Sequence, residues 1–149
     1  MRRAIDLAQE GVESSGGPFG CVIVKNGEII GQGHNQVTSA NDPTAHAEIV
    51  AIRDACRRLG TFQLDGCVIY TSCEPCPMCL GAIYWARPEK IFIACNREDA
   101  AAAGFDDAFI YEEIEKDLAD RSVATVSILR SEALTVFQNW TSKTDKIEY

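Results

Sequence analysis

Cys67-Val-Ile-Tyr-Thr-Ser-Cys-Glu-Pro-Cys-Pro-Met-Cys-Leu-Gly-Ala-Ile-Tyr-Trp-Ala-Arg-Pro-Glu-Lys-Ile-Phe-Ile-Ala-Cys95 holds two kinds of pattern in one stretch. Cys67 to Thr71 is a short apolar run rich in β-branched and aromatic residues, which suits a buried strand. Pro77 to Ala86 suits a helix: a proline at the first helical position misses no hydrogen bond, and Arg87-Pro88 ends the run. Lys90 to Cys95 is again strand-like. Strand, helix and strand at this spacing predict a right-handed parallel crossover, and so an α/β fold.

Working outward, Gly20 to Lys25 and Glu28 to Gln32 flank Asn26-Gly27, a pair that tolerates the positive φ angles of a two-residue hairpin turn. Ala4, Ile5, Ala8 and Val12 sit at helical spacing, closed by Gly11 and the loop Glu13–Pro18. These first dozen residues carry Asp6 and Glu10 among the apolar positions, so they are expected to form a folded helix and not a signal peptide. A polar loop ends in Asn41-Asp42-Pro43-Thr44, and a second helix places Ile49, Ile52, Cys56 and Leu59 on one side before Gly60. Downstream, Ile110, Ile114 and Leu118 predict a helix, Ala124 to Leu129 a fifth strand, and Ala133, Phe137 and Trp140 a terminal helix. The expected architecture is a single domain over residues 1–149, a three-layer α/β/α sandwich on a mixed five-stranded sheet.

The chain has 149 residues and a net charge of −8. Binding to a nucleic-acid backbone rests mainly on Lys and Arg, so this balance speaks against a nucleic-acid partner. No apolar stretch approaches the ~18 residues of a membrane span. Seven cysteines, an odd number in a chain without a secretory signal, do not suggest a disulfide framework and favour a cytoplasmic protein.

The cysteines at 76 and 79 lie three apart at a helix start, where both sulfurs can share a face and the helix dipole favours the thiolate. His46, 30 residues before Cys76, makes a third ligand available. One His and two Cys leave the fourth position of a tetrahedral zinc open, the mark of a catalytic site. Glu48 follows His46 by two and is placed to move protons. On a regular helix such residues diverge, so they can meet at one ion only if His46 lies at the helix entry. Taken alone, Cys-x-x-Cys could be a redox pair, His46 a core histidine and Glu48 a surface carboxylate; together they compose the H-x-E…P-C-x-x-C signature of zinc nucleobase deaminases. Cys73 could close the site as a fourth ligand, or be a buried thiol at a strand end. Cys21, Cys56, Cys67 and Cys95 lie in apolar contexts and fit a core role.

These residues resemble the cytidine deaminase superfamily and, within it, the short bacterial guanine deaminases. The likeness extends to Gly-Gly-Pro-Phe-Gly at 16–20, Asn-Asp-Pro-Thr-Ala-His-Ala-Glu at 41–48, the run at 71–88, Ala-Gly-Phe-Asp-Asp at 103–107, and Tyr149. The resemblance implies a cytidine deaminase-like fold, one Zn2+ per chain on His46, Cys76 and Cys79, and Glu48 as proton shuttle. It further implies base contacts from Asn35, Phe19, Asp107 and Tyr149, with Asp107 also catalytic, and hydrolysis of guanine to xanthine and ammonia. A homodimer exchanging residues 130–149 is implied as well. On the residues alone, Asp106 and Asp107 are both solvated loop carboxylates; the resemblance singles out Asp107. An Asp in the pocket would suit guanine, whose N1–H and 2-amino group are adjacent donors.

Three other readings compete: a guanosine or cytosine deaminase, a tRNA adenosine deaminase, and a non-catalytic zinc-stabilised module in which Cys73 completes the coordination shell.

Overall fold

The computed structural model describes residues 1–148. Two compact units divide the chain, Met1–Asp107 and Ala108–Tyr149.

In the first unit the order is α1 (Arg2–Glu13), β1 (Gly20–Lys25), β2 (Glu28–His34), α2 (Val37–Ala40), α3 (Ala47–Leu59), β3 (Cys67–Cys73), α4 (Pro77–Ala86), β4 (Lys90–Cys95) and α5 (Arg97–Ala102). The sheet runs β2-β1-β3-β4, antiparallel except for the parallel β3–β4 pair that the crossover requires. Alternation along β1 separates two cores. Cys21 and Ile23 face one cluster with Ile69, Leu64 and the alanines of α3, while Val22 and Val24 face Ala4 and Leu7 of α1. Helices thus cover both faces, as the α/β/α reading expects.

Several details differ from the sequence reading. Of the four residues expected on the buried side of α3, Ile49 is buried, while Ile52, Cys56 and Leu59 are only partly so; the core face is made by Ala47, Ala51 and Ala55. Small residues are needed because α3 lies directly on β2: a Cβ on Gly31 would stand 2.6 Å from the Ala51 carbonyl oxygen. Gly11 does not stop α1, which runs on to Glu13; instead a Cβ there would stand 2.7 Å from the Gly17 oxygen, so Gly11 lets the following loop fold back against the helix. The polar loop after β2 contains the short helix α2.

In the second unit, α6 (Ala108–Glu115) and α7 (Arg130–Ser142) stand where helices were expected, and neither has a buried residue. The expected fifth strand, Ala124 to Leu129, is irregular, and the sheet has four strands. Alternating apolar residues supply a face, but a strand exists only where a neighbouring backbone completes its ladder; among the described residues this segment has no such partner. Within this unit the Glu113 carboxylate accepts hydrogen bonds from Lys116 and from the backbone and hydroxyl of Ser122. No helix of the described residues is long and apolar enough to cross a membrane.

Candidate active site

Two helix N-termini and the end of β3 supply the site. His46 is the N-cap of α3 and Cys76 the N-cap of α4, each with extended backbone angles (φ −69°, ψ 157° and φ −64°, ψ 167°). This resolves the spacing conflict between His46 and Glu48: the histidine leaves the chain before the helix begins, and the glutamate in its first turn can reach the same place. The entry is held by Asp42, whose carboxylate accepts from the Thr44 amide at 2.8 Å and hydroxyl at 2.7 Å, and by the His46 amide donating to the Thr44 carbonyl at 2.8 Å. Pro77 takes the first position of α4, and Cys79 projects from its first turn.

The ligand atoms of His46, Cys76 and Cys79 all lie within 4.8 Å of one another, with His46 Nδ1 3.5 Å from Cys76 Sγ. Two thiols and an imidazole gathered this closely suit a tetrahedral zinc ion. The Cys76 thiol is pulled down to about 4, first by the hydrogen bond from the Cys79 thiol and then by His46 against the cost of burial. The Cys79 thiol is pushed up, first by its hydrogen bond to Cys76 and then by burial. His46 is raised, chiefly by its contact with Cys76. Such a set holds negative charge ready for a cation.

Glu48 is 5% exposed, and burial raises its carboxyl above the ordinary range. The Thr71 hydroxyl donates to Glu48 Oε1 at 3.2 Å, inside the protein, which orients the carboxylate. A buried carboxyl that binds protons more readily than usual, next to a metal cradle, is chemically suited to proton transfer. Cys73 does not join the three-ligand cluster. Its Sγ donates to the Asn96 carbonyl at 3.3 Å, and its thiol is pushed up to about 11 by burial.

A cavity of about 470 Å3 opens over these groups, lined by Phe19, Asn35, His46, Glu48, Cys76 and Asp107 among others. Asn35 is buried at the end of β2, and its Oδ1 accepts from the amides of Val37 (3.2 Å) and Gly17 (3.4 Å). With the oxygen so engaged, the side-chain NH2 is the group free to donate to a ligand. Asp107 lines the same cavity as His46 and Cys76, and its carboxyl is raised first by burial and then by the negative charge of Cys76. Asp106 lines the same cavity. Tyr149 lies outside the described residues. Sequence reasoning missed Thr71, Glu74, Arg97 and Phe105 as neighbours of the site. Phe105 stood within the quoted run 103–107, but nothing in its spacing marked it as a wall residue.

Residues 1–95 match the family described as the cytidine and deoxycytidylate deaminase zinc-binding region. Guanine deaminase of Bacillus subtilis (strain 168) is 57% identical over 150 aligned residues, covering 100% of this chain and 96% of that one. The X-ray structure of guanine deaminase from Bacillus subtilis superposes with a TM-score of 0.96 at 58% identity, covering 99% of this chain and 95% of the other. A tRNA-specific adenosine deaminase of Aquifex aeolicus is 46% identical over 94 residues, covering 63% of this chain and 62% of its own length.

Proposed function

The chain belongs to the cytidine and deoxycytidylate deaminase zinc-binding family, and from that premise we propose that it hydrolyses guanine to xanthine and ammonia. The full-length likeness to a guanine deaminase carries this reading. The tRNA-specific relative aligns over 63% of the chain only, and a net charge of −8 offers little to a phosphate backbone.

His46, Cys76 and Cys79 would hold the zinc ion. When bound, it supplies Lewis acidity that lowers the pKa of water from 15.7 toward ~7. Glu48 accepts a proton from the attacking water and returns it to the ring nitrogen beside C2. Thr71 keeps the carboxylate aimed through both transfers. The Asn35 NH2 donates to an acceptor on the base, and the Asp107 carboxylate accepts from N1–H and the 2-amino group. Phe19 gives the ring an apolar wall, and Tyr149 would close the pocket. Asp107 then assists proton delivery to the departing amine, and one guanine and one water become one xanthine and one ammonia. A screen of ammonia release over guanine, guanosine, adenine and cytosine is expected to show guanine as the preferred substrate. Turnover of cytosine with none of guanine would overturn the assignment.

The protein acts as a homodimer whose residues 130–149 are exchanged. Large apolar side chains support this: Tyr84 and Trp85 of α4 are 75% and 64% exposed, and Val136 and Phe137 of α7 are 68% and 69% exposed. Exposed apolar side chains on both helices are surface that an exchanged interface would cover. A chain ending at Leu129 and a full-length Glu48→Gln chain should each be nearly inactive and regain guanine turnover when refolded together, because one site then combines an intact Glu48 with a donated tail. No recovery on mixing would exclude the exchange. The odd number of cysteines, seven, supports a cytoplasmic setting over a disulfide-framed secreted one.

A further inference from the structure

The cavity has two polar walls. Asn35 lies on one, and Asp106 and Asp107 end the chain segment that makes the other. A purine ring can be held by both at once only if the span between them matches the base, and the backbone of the second wall is poorly built to keep that span by itself. Its support, α5, is six residues long, and Gly104 follows with φ +90° and open space around it. The chain is tied to α5 as far as Phe105, whose amide donates to the Ala100 carbonyl at 2.9 Å. Asp107, two residues further, belongs to no regular element.

What joins the two walls is a pair of aromatic rings. Phe105 docks edge-on against Phe19, with ring centroids 4.9 Å apart and planes at 86°. Phe19 in turn is bound to the opposite wall, since its backbone carbonyl accepts from the backbone N–H of Asn35 at 3.0 Å. A perpendicular contact at this distance is a favourable aromatic geometry, and it fixes the direction of a ring as well as its depth. The path from Asn35 through Phe19 to Phe105 therefore runs through one hydrogen bond and one ring contact, and two peptide units separate Phe105 from Asp107.

We propose that Phe105 is a positioning residue for base selection: its ring, pinned against Phe19, sets the span between the Asn35 amide and the Asp107 carboxylate. The inference rests on the reading of Asp107 as the group that receives guanine. Phe105 acts through Asp107, and a misplaced carboxylate loses one of its two hydrogen bonds to the base.

A double-mutant cycle on the zinc-loaded full chain tests this, with ammonia release from guanine as the readout. Phe105→Ala is expected to lower kcat/KM about tenfold, mostly through KM, with zinc content unchanged. Phe105→Tyr keeps the ring edge and should stay within about twofold of the parent. Asp107→Asn should cost about a hundredfold, and in that background Phe105→Ala should cost less than about twofold more, because the pin no longer has a carboxylate to place. A tenfold loss that persists in the Asp107→Asn background, or a Phe105→Ala protein with parent kcat/KM, would overturn the proposal while leaving the role of Asp107 standing. An Asp107→Asn protein as active as the parent would overturn both.

Discussion

Replacing Glu48 by Gln is expected to lower kcat for guanine by about 10²- to 10⁴-fold, the range over which a positioned general acid–base group acts. The substitution keeps size, and the Gln oxygen can still accept the Thr71 hydroxyl that now reaches Glu48 Oε1. What it removes is the ability to take up and return a proton. The effect should therefore fall on kcat, with KM changed only a few-fold and zinc content measured by metal analysis unchanged. Burial is the reason for the size of the loss: at 5% exposure Glu48 leaves little room for a solvent molecule to replace its proton transfer. Parent-rate ammonia release from this variant would show that Glu48 is not the proton carrier.

Cys76→Ala should have the larger consequence for the protein as a whole. It deletes one of the three side chains whose ligand atoms gather within 4.8 Å and leaves His46 Nδ1 without the sulfur 3.5 Å away. Zinc content is expected to fall well below that of the parent after dialysis, and guanine turnover to fall at least as far as in Glu48→Gln. Thermal stability should fall too, since an ion bound by the folded state alone contributes RT ln(1 + [L]/Kd) to it. Cys73→Ala is the matched control. Its sulfur meets the Asn96 carbonyl and stands outside the ligand cluster, so this variant should retain zinc and lose only the stability of a small buried group. A Cys76→Ala protein that still held zinc as tightly as the parent, or a Cys73→Ala protein that lost it, would reverse the assignment of these two cysteines.

Much of the sheet was legible because its signals are local. Asn26-Gly27 names its own turn, Pro77 names the start of α4, and Arg87-Pro88 names its end; each is a property of a few adjacent residues. The fifth strand failed for the opposite reason. Ala124 to Leu129 has strand composition, but pairing depends on what lies beside it, and composition carries no record of that. The core face of α3 failed in a related way. Hydrophobicity pointed to Ile49, Ile52, Cys56 and Leu59, of which only Ile49 is buried, whereas contact with the glycines of β2 required the alanines, because at close approach volume decides and apolar surface does not.

The sequence by itself determined the chemistry available to this protein: an imidazole, two thiols and a carboxylate in a spacing that suits zinc hydrolysis, and an α/β frame to carry them. Those are matters of residue type and short-range order. Only the tertiary structure decided that His46 and Cys76 are both helix caps facing one point, that Thr71 orients Glu48, that the oxygen of Asn35 is engaged and its NH2 available, and that Phe105 meets Phe19. Each of these joins segments distant along the chain, and directions and distances between such segments are set by packing.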